Sequence, residues 1–450
     1  MARYKIIPSI QDIPMTHKIL IFLTAAFILC LLQTRGFAQT KQNDITDEAQ
    51  RLYQKHGRAI YQIQVIDLTS DKKTSIGSGF QISQDGLIAT NYHVVAEAIQ
   101  SPKENRIEYL TDEGTRGALE IITADVVHDL AIVKKAPEST DRFIPLGSAK
   151  MPKGARIFSM GNPHDIGFTI IEGTYNSISK ESLYQKIHFS GSLNPGMSGG
   201  PALNRAGQVI GINVSTAGNQ ISFLVPVEPL QKLANSISKT AKAHSTFLDN
   251  VTETIQTQLS DNQHRFVSEL LKQKWETEVF GPFKVPGKIS TVFRCWGGQN
   301  HDDSSLYLHY RSTCSSQDRL YLERDLSTGP IVYRYDYLQG KDELNLTRFY
   351  SYYQNLYGKP LGAHDNGGKS TVTNFTCNSD YIPIADKKWK SSFCVRQYKK
   401  YPLLFDLHMY LALVDNRKEG FLFSLVAQGI SQENALKLSE KFILSIHPAL

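Results

Sequence analysis

Ser198 stands in Leu193-Asn-Pro-Gly-Met-Ser-Gly-Gly-Pro201, a serine among glycines after a Pro-Gly turn and ahead of the apolar run 208–215. Gly196 frees the backbone to turn, so that its own N–H and that of Ser198 can aim at one spot and form a hole for an oxyanion. Gly199 and Gly200 are expected to keep bulk away from where a substrate carbonyl would lie. A serine hydroxyl is a weak nucleophile until a base takes its proton. The chain supplies a histidine upstream, His93, after the stretch 75–91, and a carboxylate, Asp129, at the start of the apolar run 130–134. With these three residues the chemistry would be acyl transfer: Ser198 as nucleophile and His93 as general base, then acid. Asp129 would hold the tautomer of His93 and stabilise its imidazolium. His128 is the competing histidine, but alternation along its segment turns it to the opposite face, as a surface residue.

The elements that must position these groups are short strands. Apolar alternation marks 59–66, 79–83, 87–91, 107–110, 119–123, 130–134, 155–160, 168–179, 186–190, 208–215 and 221–226, with a short-hairpin signal at Asp85-Gly86. Many short strands at close spacing predict an all-β barrel or sandwich, closed by a helix over 227–237.

Several stretches carry a resemblance: Thr90-Asn-Tyr-His-Val-Val95, Asp129-Leu-Ala-Ile-Val133, Met160-Gly-Asn-Pro163, Gly196-Met-Ser-Gly-Gly-Pro201 and Gly211-Ile-Asn213. With the chain order His, Asp, Ser, they resemble the trypsin-like serine proteases of the HtrA/Deg type, over residues 55–235. The resemblance implies two six-stranded barrels whose catalytic residues meet in the cleft between them. It implies an exported serine endopeptidase that needs no cofactor or metal. Met197 departs from the pattern, standing where the family usually has Asn; because the hole is built of backbone N–H groups, the change bears on loop conformation and latency. Ser192, six residues before the serine, replaces the acid of a trypsin-like pocket, and Leu193 matches the position lining the primary pocket. Asn213, Val214 and Ser215 would offer backbone to an extended substrate. The expected preference is for small or medium aliphatic residues before the scissile bond. No loop of the peptide-binding PDZ type follows residue 240. A catalytically latent scaffold, acting as a chaperone or binding protein, is the alternative reading.

Outside that region, residues 1–38 read as a signal peptide or an uncleaved signal anchor. The run 19–32 has 14 residues and as a helix would span ~21 Å, short of a ~30 Å hydrocarbon core. Gly36-Phe-Ala38 supplies a small-x-small cleavage site, and Met15 is a plausible start. Arg3, Lys5, Lys18 and Arg35 against Asp12 put half of the net charge of +6 in this leader. No basic cluster suggests nucleic acid, so the expected partners are polypeptide substrates, with a membrane only if the segment stays uncleaved. The expected location is periplasmic or secreted, or anchored in the inner membrane facing the periplasm.

Residues 39–240 are expected to be the protease domain, 241–285 a helical connector, and 286–450 a β-rich α+β domain with an internal repeat. The repeat places Cys295 and Cys314 in one half, Cys377 and Cys394 in the other, each half ending in a helix (342–357 and 431–446). Four cysteines in an exported chain argue for two disulfides, 295–314 and 377–394, over a zinc site, which favours Cys-x-x-Cys spacing.

Overall fold

In the computed structural model of the chain, the short runs between residues 59 and 226 close into two six-stranded antiparallel barrels. The structure describes residues 44–138, 142–179, 182–218, 220–240, 247–300, 305–316, 318–359, 361, 367–414 and 417–449, so the expected signal segment lies outside the described residues. Two compact units divide the chain, residues 1–51 and 52–450. Of the first, only the opening turns of helix α1 (Asp44–His56) are described.

The first barrel contains β1 (Ile60–Asp67), β2 (Lys73–Gln81), β3 (Leu87–Thr90), β4 (Asn105–Leu110), β5 (Arg116–Asp125) and β6 (Leu130–Lys134). Alternate residues such as Ile63, Val65, Ile88, Ile107 and Val133 meet in its core. Helix α2 (Tyr92–Gln100) leaves the end of β3. The second barrel contains β7 (Arg156–Gly161), β8 (Thr169–Ile178), β9 (Ile187–Phe189), β10 (Pro201–Leu203), β11 (Val209–Thr216) and β12 (Ser222–Pro226), followed by α3 (Val227–Thr240). Helix α4 (Val251–Lys272) serves two cores. Ile255 and Leu259 pack with the first barrel, while Phe266, Val267 and Leu270 pack with the sheet that follows. The expected connector is helical only in part, since its end forms β13 (Thr277–Phe280) and begins β14 (Phe283–Pro286).

The rest of the chain builds a seven-stranded antiparallel sheet. Its strands are β15 (Phe293–Gln299), β16 (Tyr307–Ser316), β19 (Ile331–Gly340), β20 (Thr376–Ile384), β21 (Lys387–Gln397), β22 (Phe405–Leu413) and β23 (Glu419–Ile430), in the order β15-β16-β19-β23-β22-β21-β20. A separate hairpin, β17 (Leu320–Glu323) and β18 (Leu326–Thr328), projects between β16 and β19. Helices α5 (Leu346–Leu356) and α6 (Gln432–Leu444) cover the sheet, and β24 (His447–Pro448) pairs with β14. Cys295–Cys314 and Cys377–Cys394 are bonded across directly paired strands, with Cα atoms 4.0 Å apart in each.

The two hairpins of the expected repeat sit one at each edge of the sheet, and a helix closes each half as expected. Phe349 and Tyr353 of α5 pack with Leu422, whereas Leu438 and Phe442 of α6 pack with Phe423. Neighbouring strand residues face opposite ways, so the helices lie on opposite faces. The edge strands β15 and β20 run parallel, so a two-fold axis exchanging the two hairpins lies along the central β23 and places the helices on opposite faces, as found.

Candidate active site

His93 sits in the first turn of α2, where its Nδ1 lies 2.7 Å from Asp129 Oδ2 and its backbone N–H donates to Asp129 Oδ1 at 2.9 Å. Asp129 has φ +56°, and Asn91 Nδ2 donates to its carbonyl at 2.7 Å, fixing the turn that starts β6. The two side chains are 28% and 21% exposed, open enough to meet a substrate and shielded enough to interact strongly. Burial works against the charged imidazole. The Asp129 carboxylate, by charge and hydrogen bond, outweighs it and holds the His93 pKa above the ordinary histidine value.

Ser198 belongs to the loop before β10, and a frame drawn from both barrels holds that loop. Ser78 of β2 contributes most. Its N–H donates to Ser198 O at 2.7 Å, its Oγ donates to Gly196 O at 2.7 Å, and the same Oγ accepts the N–H of Asn162 at 2.9 Å. Pro195 O accepts the N–H of His164 at 2.8 Å. Gly196, at φ +95°, has no room for a side chain, because a Cβ would lie 2.4 Å from Asn162 O. None of these bonds uses the N–H of Gly196 or of Ser198. Ser198 Oγ donates to Val214 O at a long 3.4 Å, and no hydrogen bond joins it to His93.

Several expectations change at this level. Gly199 and Gly200 leave space for the protein's own backbone: a Cβ would lie 2.2 Å from Ser78 O in the first and 2.1 Å from Met160 O in the second. Met197 is fully buried in the core of the second barrel with Phe189 and Leu193. Asn213 is also buried, and both its backbone groups are taken inside the protein, by Gly199 N–H and Gly200 O. Its side chain bonds Ser159, Met160 O and Met197 O. Asn213 is therefore an anchor of the serine loop, and of the stretch expected to offer backbone, Val214 and Ser215 line the cleft. His128 shares a cavity with His93 instead of facing away. Residues 126–129 form a turn, where strand alternation does not apply, and Asp125 holds its Nδ1 at 2.6 Å.

Two cavities flank Val214 and Ser215. One, of about 260 Å³, is lined by Leu193, Pro195, Ser198 and Val214 to Thr216, with no acidic residue among its lining. Ser192 is exposed and lies outside it. The other, of about 230 Å³, lies on the His93 and Asp129 side. Sequence reasoning missed Ser78, which had no signal beyond a serine between glycines, and the residues of β17 that reach the second cavity.

Residues 77–212 match the family described as a trypsin-like peptidase domain. The region of the trypsin-like peptidase domain also has curated relatives. It is 31% identical over 181 residues to "Protease Do-like 1, chloroplastic" of Arabidopsis thaliana, covering 37% of this chain and 40% of that protein. It is 27% identical over 202 residues to a "Probable periplasmic serine endoprotease DegP-like" of Halomonas elongata, covering 43% and 41%. The chain thus spans about two fifths of the length of these relatives. Among solved structures it is similar to that of Deg5, at 26% identity and a TM-score of 0.38, over 43% of this chain and 95% of that one. Among the described residues, no helix is long and apolar enough to cross a membrane.

Proposed function

We propose that the chain is an exported serine endopeptidase, with residues 39–240 as its catalytic part, acting on misfolded or envelope polypeptides. The observation that carries this reading is the His93–Asp129 pair at 2.7 Å in the same cleft as the glycine-framed Ser198 loop. His93 takes the proton of Ser198 Oγ as that oxygen attacks the substrate carbonyl. The N–H groups of Gly196 and Ser198, committed to no other bond of the loop, receive the oxyanion of the tetrahedral intermediate. The His93 imidazolium, stabilised by Asp129, protonates the leaving amine. An acyl-enzyme remains on Ser198, and water activated by His93 hydrolyses it. Val214 and Ser215 hold the substrate as an added strand.

The Leu193 cavity, without an acid in its lining, supports cleavage after small or medium aliphatic residues. Two disulfides support an oxidising compartment such as the periplasm, in line with the Halomonas elongata relative, named as a probable periplasmic endoprotease. The test is digestion of an unfolded protein, with Ser198→Ala as control and the cut sites read by mass spectrometry. Cuts after Val, Ala, Leu or Ile that vanish in the variant are expected; dominant cleavage after Lys or Arg would sink the specificity.

A further inference from the structure

The cavity beside His93 is not built by the barrels alone. Its far wall is Arg319 with Leu320 and Tyr321 of the β17 strand, more than ninety residues beyond the last barrel strand. The Tyr321 ring meets the His93 ring edge-on at 6.1 Å between centroids. Contacts on both sides fix the hairpin. Toward the first barrel, Leu320, Leu322 and Leu326 enter its core, and Tyr92 donates from its hydroxyl to Leu322 O at 2.7 Å. Toward the second, the nearly buried Asp318 accepts the N–H of Leu183 at 2.6 Å and the hydroxyl of Ser182 at 3.0 Å, and pairs with Lys186 at 3.6 Å. The hairpin therefore spans the cleft where its two halves meet, and walls the space beside His93 without filling it.

Both cavities are lined by Val214 and Ser215, one together with Leu193 and Ser198, the other with His93 and Tyr321. A substrate held there as a strand points successive side chains to opposite sides. The residue preceding the scissile bond enters the Leu193 cavity next to Ser198, so the residue before it turns toward His93 and the hairpin. We propose that Tyr321 is a specificity-determining residue, forming the wall of the subsite for the second residue upstream of the scissile bond. The assignment rests on the endopeptidase reading above. With Val127, Val214 and Leu320 beside it, the subsite takes an aliphatic side chain of moderate size.

The test uses the full chain and fluorogenic peptides that share one aliphatic residue before the scissile bond and carry Ala, Leu or Phe in the second position. Tyr321→Ala opens the wall and Tyr321→Trp narrows it. The ratio of kcat/KM for Phe over Ala is expected to rise in the first variant and fall in the second, each by about tenfold. Because the two changes act in opposite directions, a general loss of fold does not mimic them, and either variant suffices if the other fails to fold. Ratios unchanged from a wild type that cleaves the peptides overturn the subsite alone. A folded wild type that cleaves neither these peptides nor an unfolded protein overturns the endopeptidase reading, and the subsite with it.

Discussion

At the scale of single residues, the account turns on His93. The Asp129 carboxylate raises its pKa above the ordinary value of about 6.5, and a general base must be unprotonated to act. The kcat/KM of the free enzyme should therefore climb with pH along a limb centred above that value. Asp129→Asn removes the charge that raises it, so the limb should move to lower pH while kcat falls by about 10⁴. An Asn variant with its limb in place and near-normal kcat would contradict the role given to Asp129. Stability runs the other way. A raised folded-state pKa contributes stability that is complete below the unfolded value and is lost as pH rises through the folded one. The pair thus stabilises least where catalysis is best supported.

At the scale of elements, the serine loop depends on a strand of the opposite barrel. Ser78→Ala would leave the N–H of Asn162 and the carbonyl of Gly196 without their buried partner. A loss of about 1–3 kcal/mol in urea unfolding is expected, with kcat falling more than KM rises, because the loop holding the oxyanion donors is released. A variant of wild-type stability and kcat would show that the loop stands without β2. This dependence marks where sequence reading stops. The barrel strands were legible because each alternates locally; β10 was not, since Pro201, Ala202 and Leu203 are too few to show a period. The helix carrying His93 was not marked, since the β-branched Val94 and Val95 favour strand over helix. Ser78 could not be found at all, for its partners Asn162 and Gly196 lie 84 and 118 residues away. Met197 and Asn213 were noticed as motif positions, yet only packing shows that they anchor the loop from beneath.

At the scale of the molecule, the C-terminal region is fused to the barrels through shared cores. Helix α4 gives Ile255 and Leu259 to one core and Phe266 and Leu270 to another, and the β17–β18 leucines enter the first barrel. Residues 52–450 should accordingly unfold in one calorimetric transition, and a chain ending at residue 240 should be insoluble or non-cooperative, having exposed Tyr92 and its apolar neighbours. Two separate transitions, or a stable active fragment, would contradict the fusion. Composition and cysteine spacing predicted the disulfide pairs and the β-rich character of this region. The opposite placement of α5 and α6 and the reach of β17 into the cleft depend on how distant segments pack, which no local pattern encodes.

The central claim, that Ser198, His93 and the loop N–H groups form a working acyl-transfer site, is tested most directly by labelling with a fluorophosphonate, read by intact mass, with Ser198→Ala as control. The predicted result is one adduct per chain, on Ser198, lost in the variant and slowed as pH falls below the His93 pKa. A folded wild-type protein that stays unlabelled across that pH range would contradict the claim and leave the barrels as a binding scaffold.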